Sequence, residues 1–525
     1  MDRKLKLSQW VGFIILAFLI LVPVLYSLGG ALCCNDHLFE NLKSFDSNIF
    51  KLLLNSILLA ISVAFLSSFV GSILGFLLYK TNLAHRQFFK IVFLIPLFIS
   101  PYIWAVAWKD FFFALTGHTQ EIQSYGGLIL VQTLIYTPLA MLITGSAFAH
   151  INASLEEAGL MMFPIKKVFF KITLPLIQPA LLTAFTLIFI FSISEFSVPA
   201  FYGLKVFTTE IFTQFSAFYN YNLAILQSTI LVLICLFLLL SEQKYLSQAP
   251  FLAVSNLGNQ VKLYALKRRQ FSAYAFLIFW LIISILIPFG SIVTKAFQAG
   301  YQTVIQAFEL LKSTFTESLI LAVTGSLISI FTGIFFAYLS WSKRTAQTSW
   351  ISKLTHWTLL FVFAIPSLIF GISLIKFYNR SGLYFIYGSA LIIIIGYMGK
   401  YGFIAYKMIE NAIRQLPYEL DEVAQTEGIP RFKRLQKIII PLITPAIFGA
   451  FILNFMLMFG DLGTSIIIYP PGTQLMPVKV FTLMANAPQS LTAALTFVVF
   501  CVTLCAVSLF YIIFKKFLKP KYDRR

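Results

Sequence analysis

Glu156-Glu157-Ala158 … Ile172-Thr173-Leu174-Pro175-Leu176-Ile177-Gln178-Pro179-Ala180 is a passage this chain writes twice. It returns as Glu422-Val423-Ala424 … Ile438-Ile439-Ile440-Pro441-Leu442-Ile443-Thr444-Pro445-Ala446, with glutamate and first proline equally separated in both copies. Each copy opens on an acid, carries basic residues in its middle and closes on Pro-Leu-Ile-x-Pro-Ala before a long apolar run. Internal repetition is read before anything else because it fixes the architecture. A polar loop repeated between apolar segments means two equivalent surfaces facing one compartment, and something must dock on both.

Outward from the loops the repetition continues. Leu54-Asn55-Ser56-Ile57-Leu58-Leu59-Ala60 resembles Thr316-Glu317-Ser318-Leu319-Ile320-Leu321-Ala322, and Phe93-Leu94-Ile95-Pro96-Leu97 resembles Phe363-Ala364-Ile365-Pro366-Ser367. Glu195 and Asp461 stand equally far beyond their loops. The apolar runs are roughly 18 to 28 residues, enough to cross a hydrocarbon core of about 30 Å at 1.5 Å per helical residue. Twelve spans are expected, at about 11–30, 52–79, 91–108, 127–149, 176–199, 222–241, 271–294, 315–340, 356–376, 385–405, 442–468 and 489–514. Each half then holds six spans of like orientation, a parallel repeat about an axis along the membrane normal. The expected fold is an all-α polytopic membrane protein. Residues 1-241 form the first six-span repeat, 242-270 a cytoplasmic linker, and 271-525 the second repeat.

Composition agrees. The chain is 59% hydrophobic and 11% charged, whereas about a quarter of the residues of a soluble chain are charged. The net charge of +19 lies in short clusters between apolar runs, such as Lys166-Lys167-Lys171, Lys267-Arg268-Arg269 and Arg431-Lys433-Arg434-Lys437. That is the positive-inside pattern, which puts the linker and both termini in the cytoplasm and excludes a nucleic-acid partner. The apolar run from Val11 to Leu28 exceeds a signal-peptide core of about 7–15 residues and reads as a retained span. Cys33-Cys34 with His37 lacks the spaced partners of a metal site. There is no phosphate loop; Gly396-Tyr397-Met398-Gly399-Lys400 lacks the spacing and the Ser/Thr. No H-E-x-x-H or nucleophile elbow is present. The sequence points to transport, with no catalytic set, cofactor or metal centre of its own.

The carboxylates well inside the expected spans are Glu195 and Asp461. An embedded charge costs about 2.5–3.5 kcal/mol on insertion scales and normally faces protein or water. Two readings stay open: the pair lines a route for a cationic cargo from opposite walls, or each clasps helices through hydrogen bonds. Lys400, near a span end, has two readings, pairing with Asp461 in its own half or snorkelling to the inner face, of which snorkelling is favoured. Tyr219 and Tyr221 read as interface aromatics, not ligands. Each repeated loop is expected to form a short amphipathic helix, a turn at Pro164 or Pro430, and a second short helix, with Pro175 and Pro441 restarting a helix.

These loops resemble the E-A-A-x-x-x-G … I-x-L-P signature of permease subunits in binding-protein-dependent ABC importers. The second copy matches at Glu422, Ala424, Gly428, Ile438 and Pro441. The first matches at Glu156, Ala158, Ile172, Leu174 and Pro175, but has Glu157 for the first alanine and Met162 at the glycine position. The resemblance implies a less sharp first turn and unequal contacts. It also implies a type I importer fold in a bacterial inner membrane and two copies of an ATP-binding cassette subunit docked on the loops. A periplasmic binding protein would deliver the cargo. Two permease halves in one chain resemble the ferric-iron permeases and their thiamine and aminoethylphosphonate relatives. Ser194-Glu195-Phe196-Ser197-Val198-Pro199 and the segment from Val206 to Tyr219 look most like the iron group. The rival of another class, an ion-coupled secondary transporter, would show Gly/Pro-broken spans and several embedded ionisable residues.

Overall fold

The computed structural model describes residues 2–33, 47–151, 153–246, 263–298, 300–341, 350–417 and 419–518. Cys34, His37 and most of the expected linker lie outside the described residues. Among the described residues ten helices are long and apolar enough to cross a membrane, or up to twelve if each of two bent pairs is one span. In the first half the helices are α1 (Gln9–Gly30), α2 (Ser47–Lys80), the bent pair α3 (Arg86–Phe98) and α4 (Pro101–Thr116), α5 (Tyr125–His150), α6 (Ala153–Met162), α7 (Ile165–Ser194), α8 (Ser197–Tyr202), α9 (Phe207–Ser216) and α10 (Tyr221–Glu242). The second half repeats them as α11 (Gln270–Gln298), α12 (Tyr301–Trp341), the bent pair α13 (Trp350–Ala364) and α14 (Ser367–Tyr378), α15 (Leu391–Arg414), α16 (Glu419–Thr426), α17 (Arg431–Phe459), α18 (Ser465–Ile468), α19 (Met476–Asn486) and α20 (Gln489–Phe510).

Small residues let the paired helices approach. A Cβ on Gly71 of α2 would lie 2.4 Å from the Ala140 methyl of α5, and one on Gly333 of α12 would lie 3.2 Å from the Tyr406 backbone of α15. Without a hydrophobic force between helices in lipid, such close backbone contact is what holds spans together. The early resemblance around Ser56 and Ser318 has a structural counterpart. The Ser56 hydroxyl accepts the Phe207 N–H at 2.8 Å and the Ser318 hydroxyl accepts the Met476 N–H at 2.7 Å, so each serine satisfies the start of α9 or α19.

Four prolines are absorbed by four wide turns. The π-helical segments Ala17–Leu21, Phe169–Thr173, Ile282–Leu286 and Leu435–Ile439 each end two residues before a proline, namely Pro23, Pro175, Pro288 and Pro441. A helical proline lacks an N–H and crowds the carbonyl four residues back; a wide turn relieves both. Pro175 and Pro441 therefore do not restart a helix, contrary to the expectation from sequence. Each lies inside one continuous rod, α7 or α17. At Pro23 the carbonyl left over, that of Leu19, accepts the Tyr378 hydroxyl at 3.0 Å.

That bond crosses between the halves, and the crossing is general. α1 packs on α10 of its own half but also on α13 and α14 of the other, while α11 packs on α20 of its own half and on α4 of the other. The first span of each repeat is thus exchanged. A division of the sequence near residue 241 separates repeats in the chain but not bodies in space.

The spans expected at 91–108 and 356–376 are not straight. α3 and α4 meet at 97°, α13 and α14 at 109°. Ser100 before α4 (φ −55°, ψ 136°) and Pro366 before α14 (φ −54°, ψ 143°) have the same backbone conformation. The structural partner of Pro366 is therefore Ser100, not Pro96 as the local resemblance suggested.

Candidate functional site

The two bends open onto a common cavity of about 90 Å³. Both embedded carboxylates line it. α7 ends at Ser194, and Glu195 follows in extended conformation. Its Oε1 accepts the backbone N–H of Ser197 (2.7 Å) and of Val198 (3.4 Å), together with the Ser197 hydroxyl, capping α8. Its Oε2 accepts the Tyr136 hydroxyl of α5 at 3.2 Å. The second half repeats the arrangement. Asp461 Oδ2 accepts Thr464 N–H at 3.1 Å and Ser465 N–H at 3.0 Å at the start of α18, and Oδ1 accepts the Tyr401 hydroxyl of α15 at 2.7 Å. An acidic side chain before a helix takes over the free N–H groups of its first turn. In each half, then, one carboxylate oxygen holds a helix start and the other faces a tyrosine.

Lys400 also lines this cavity and does not snorkel. It is 2% exposed, and its ammonium donates to the carbonyls of Ile365 (2.8 Å) and Phe363 (3.3 Å). The bend after α13 leaves carbonyls without intrahelical donors, at the negative end of the helix dipole; the lysine satisfies them. At the other bend the Ser100 hydroxyl instead crosses between the halves, donating to Gly460 O at 2.8 Å. An apolar cavity adjoins the polar one, lined by Leu139, Leu187, Phe363, Ile404, Leu453 and Leu457 among others. Sequence alone placed only Glu195 and Asp461, among carboxylates, well within spans. Asp110 and Glu410 are buried too, because α4 and α15 run beyond the expected ends at 108 and 405.

At the other end of α7 and α17 lie the repeated loops. Glu156, expected on the surface, is fully buried. Its carboxylate meets the Lys80 ammonium at the end of α2 at 2.8 Å and accepts the Thr173 hydroxyl at 2.9 Å. Tyr264, from the segment between the halves, lies against it. The Tyr264 N–H donates to Lys80 O at 2.8 Å, and its carbonyl accepts Asn82 N–H at 3.2 Å. Burial, and then the Glu156 charge beside it, push the Tyr264 phenol up to about 12. In the second loop the buried acid is Asp421, 3.3 Å from Arg434 of the same loop.

The buried acids reset the register of the repeat. Pro164 and Pro430 stand equally far before Pro175 and Pro441, but Glu156 and Asp421 are one residue out of step with them. The first loop is one residue shorter between helix and turn. The exposed acid that corresponds to Glu422 is therefore Glu157, not Glu156. The extra residue of the second loop forms a left-handed turn at Gly428 (φ 72°), with Ile429 N–H reaching back to Ala424 O at 3.1 Å. This is the helix ending that glycine makes at little steric cost. The first loop has no positive-φ residue, and α6 stops at Met162 before Pro164. Ala158, Met162, Pro175, Glu422, Gly428 and Pro441 are exposed, while Ala424 is buried. Tyr136, Tyr401, Lys80 and Asp421 were missed from sequence; the equal spacing of the two tyrosines from Glu195 and Asp461 was available as a signal, give or take one residue.

Residues 329–519 match the family described as "Binding-protein-dependent transport system inner membrane component". The chain is a permease of the binding-protein-dependent ABC importer type. The Fe(3+)-transport system permease protein FbpB 2 of Haemophilus influenzae is 24% identical over 81% of this permease and 82% of its own length. The putative ferric transport system permease protein FbpB 1 of the same organism is 24% identical over 86% and 77%. A putative 2-aminoethylphosphonate transport system permease protein, PhnV of Salmonella typhimurium, is 25% identical over 36% of this chain and 69% of its own. The permease is a multi-pass inner-membrane protein.

Proposed function

We propose that this permease forms the whole membrane pathway of an ATP-driven importer of ferric iron. The observation that carries the cargo is breadth of similarity. Relatives named for ferric iron align with 81% and 86% of the chain, against 36% for one named for 2-aminoethylphosphonate. In this reading a periplasmic binding protein delivers iron to the outer face and both termini lie in the cytoplasm. Two ATPase subunits dock on α6 and α16, and the permease hydrolyses nothing itself. The exposed acids Glu157 and Glu422 set register by charge, and the exposed Met161, Met162, Phe163 and Phe432 supply the apolar contact.

The continuous rods give the coupling a physical route. α7 spans 30 residues from docking loop to cavity and α17 spans 29, about 45 Å at 1.5 Å per residue. Drawing the loops together moves the far ends of α7 and α17, where Glu195 and Asp461 sit. The apolar cavity between them is the constriction that must part for release, since a hydrophobic neck excludes a hydrated cation. Two bodies, each carrying the first span exchanged from the other half, would then alternate access.

Broken spans are a mark of the secondary-transport rival, and this fold has two. The test is uptake by proteoliposomes holding the permease and its ATPase, with binding protein outside and ATP inside. Ferric uptake that requires ATP supports the proposal. Ferric uptake driven by an ion gradient without ATP refutes the energetics, and uptake of 2-aminoethylphosphonate but not iron refutes the cargo.

A further inference from the structure

The central cavity holds more chemistry than two helix caps require. The backbone N–H groups at the starts of α8 and α18 take one oxygen of each carboxylate, and the Thr464 hydroxyl reaches the other Asp461 oxygen only at 3.5 Å. The remaining oxygen of each faces a phenol, Tyr136 or Tyr401, that takes no part in the cap. The pairing occurs in both halves and both pairs line one cavity. The Ser194 hydroxyl, 6% exposed and lining the same cavity, has no hydrogen-bond partner. A buried hydroxyl facing a polar space without a partner points to a guest that supplies one.

We propose that Tyr136 and Tyr401, with the tyrosine-facing oxygens of Glu195 and Asp461, are the transient ligands of ferric iron in the pathway, and that they set its specificity. This rests on the ferric-importer reading. A hard trivalent cation prefers anionic oxygen donors, and these four groups are all oxygen. Among the described residues no group of three or more His, Cys, Asp or Glu could hold a metal, so the phenols are what completes a donor set. Each iron–phenolate bond forms as the phenol loses its proton to water, two protons for one iron with no change of oxidation state. Two carboxylates, two phenolates and the Lys400 ammonium then carry three net negative charges, which one Fe³⁺ neutralises. In a low-dielectric span that balance matters, because residual charge is expensive. A divalent cation would leave a negative charge behind, and a phosphonate would meet a cavity of its own sign.

The test uses the permease–ATPase complex in detergent, without the binding protein, turning over ATP so that every access state is visited. Ferric nitrilotriacetate is the probe, and the readout is the visible phenolate-to-iron charge-transfer band. Wild type should show the band. Tyr136→Phe and Tyr401→Phe should each remove roughly half of it, one of two donors, and the double variant all of it. Tyr397→Phe, whose hydroxyl pairs with Ser465 at 3.1 Å instead of a carboxylate, should leave it intact. Unchanged thermal stability and ATPase co-purification in the variants certify the fold. A band that survives in the double variant overturns the proposal, as does its absence from a wild type that imports iron. A wild type that imports no iron in the proteoliposome assay instead removes the ferric reading beneath it.

Discussion

Glu156→Gln leaves Lys80 as an unpaired ammonium at a site where neither side chain is exposed. Breaking a buried ion pair from one side costs about 3–5 kcal/mol, because the survivor keeps its desolvation cost and loses its partner. The Thr173 hydroxyl still has the carboxamide oxygen to donate to, so the loss is chiefly the charge. If that energy holds α6 against α2, opening of α6 should rise about a hundred- to several-thousand-fold, at 1.36 kcal/mol per factor of ten. Hydrogen exchange of the peptide covering 153–162 in the purified permease reads this directly, as local opening short of global unfolding. ATPase co-purification should fall as a consequence. Lys80→Met should do the same, and the Lys80→Met, Glu156→Gln double variant should recover most of the protection, since no lone charge remains. If Glu156→Gln abolishes ATPase association while exchange over 153–162 stays at the wild-type rate, Glu156 touches the partner directly and the buried-pair argument fails.

Charge reversal of the exposed acids should separate docking from folding: Glu157→Lys and Glu422→Lys should lower ATPase co-purification with unchanged thermal stability, and wild-type yields for both would exclude a charge role. Gly428→Ala should destabilise the second loop by about 1–2 kcal/mol, the cost of a left-handed L-residue, because nothing lies within 4 Å of the added methyl; faster exchange over 419–428 is the measurement. Met162→Gly should bring the first loop no comparable gain, since no residue there needs positive φ. Single cysteines at Lys262 and Pro520 should resist a membrane-impermeant thiol reagent from the periplasmic side, and modification from that side would invert the orientation.

The membrane class, the number of spans and the twofold repetition were legible because each rests on local information. Run length measures bilayer thickness, and a repeated loop is visible as letters. Glu195 and Asp461 could be singled out because a carboxylate in an apolar run is conspicuous whatever surrounds it. The lengths of α4 and α15 were not legible, since a buried Asp110 or paired Glu410 looks like a span end when hydropathy alone is counted. Lys400 misled for a similar reason: from sequence a lysine near a span end should reach water, and only the bend at Pro366 offers it carbonyls inside.

What the sequence determined by itself is a polytopic helical permease with two equivalent loops and a pair of embedded acids. Tertiary structure alone decided which acid of Glu156-Glu157 is left exposed, because that depends on whether Lys80 waits beneath the loop. It decided that α1 and α11 change halves, because lipid-facing helices of similar hydropathy give the chain no local preference for one neighbour. It also decided that Tyr136 and Tyr401 face Glu195 and Asp461 across one cavity. Residues far apart in the chain meet only through packing, and hydropathy does not encode which phenol will find which carboxylate.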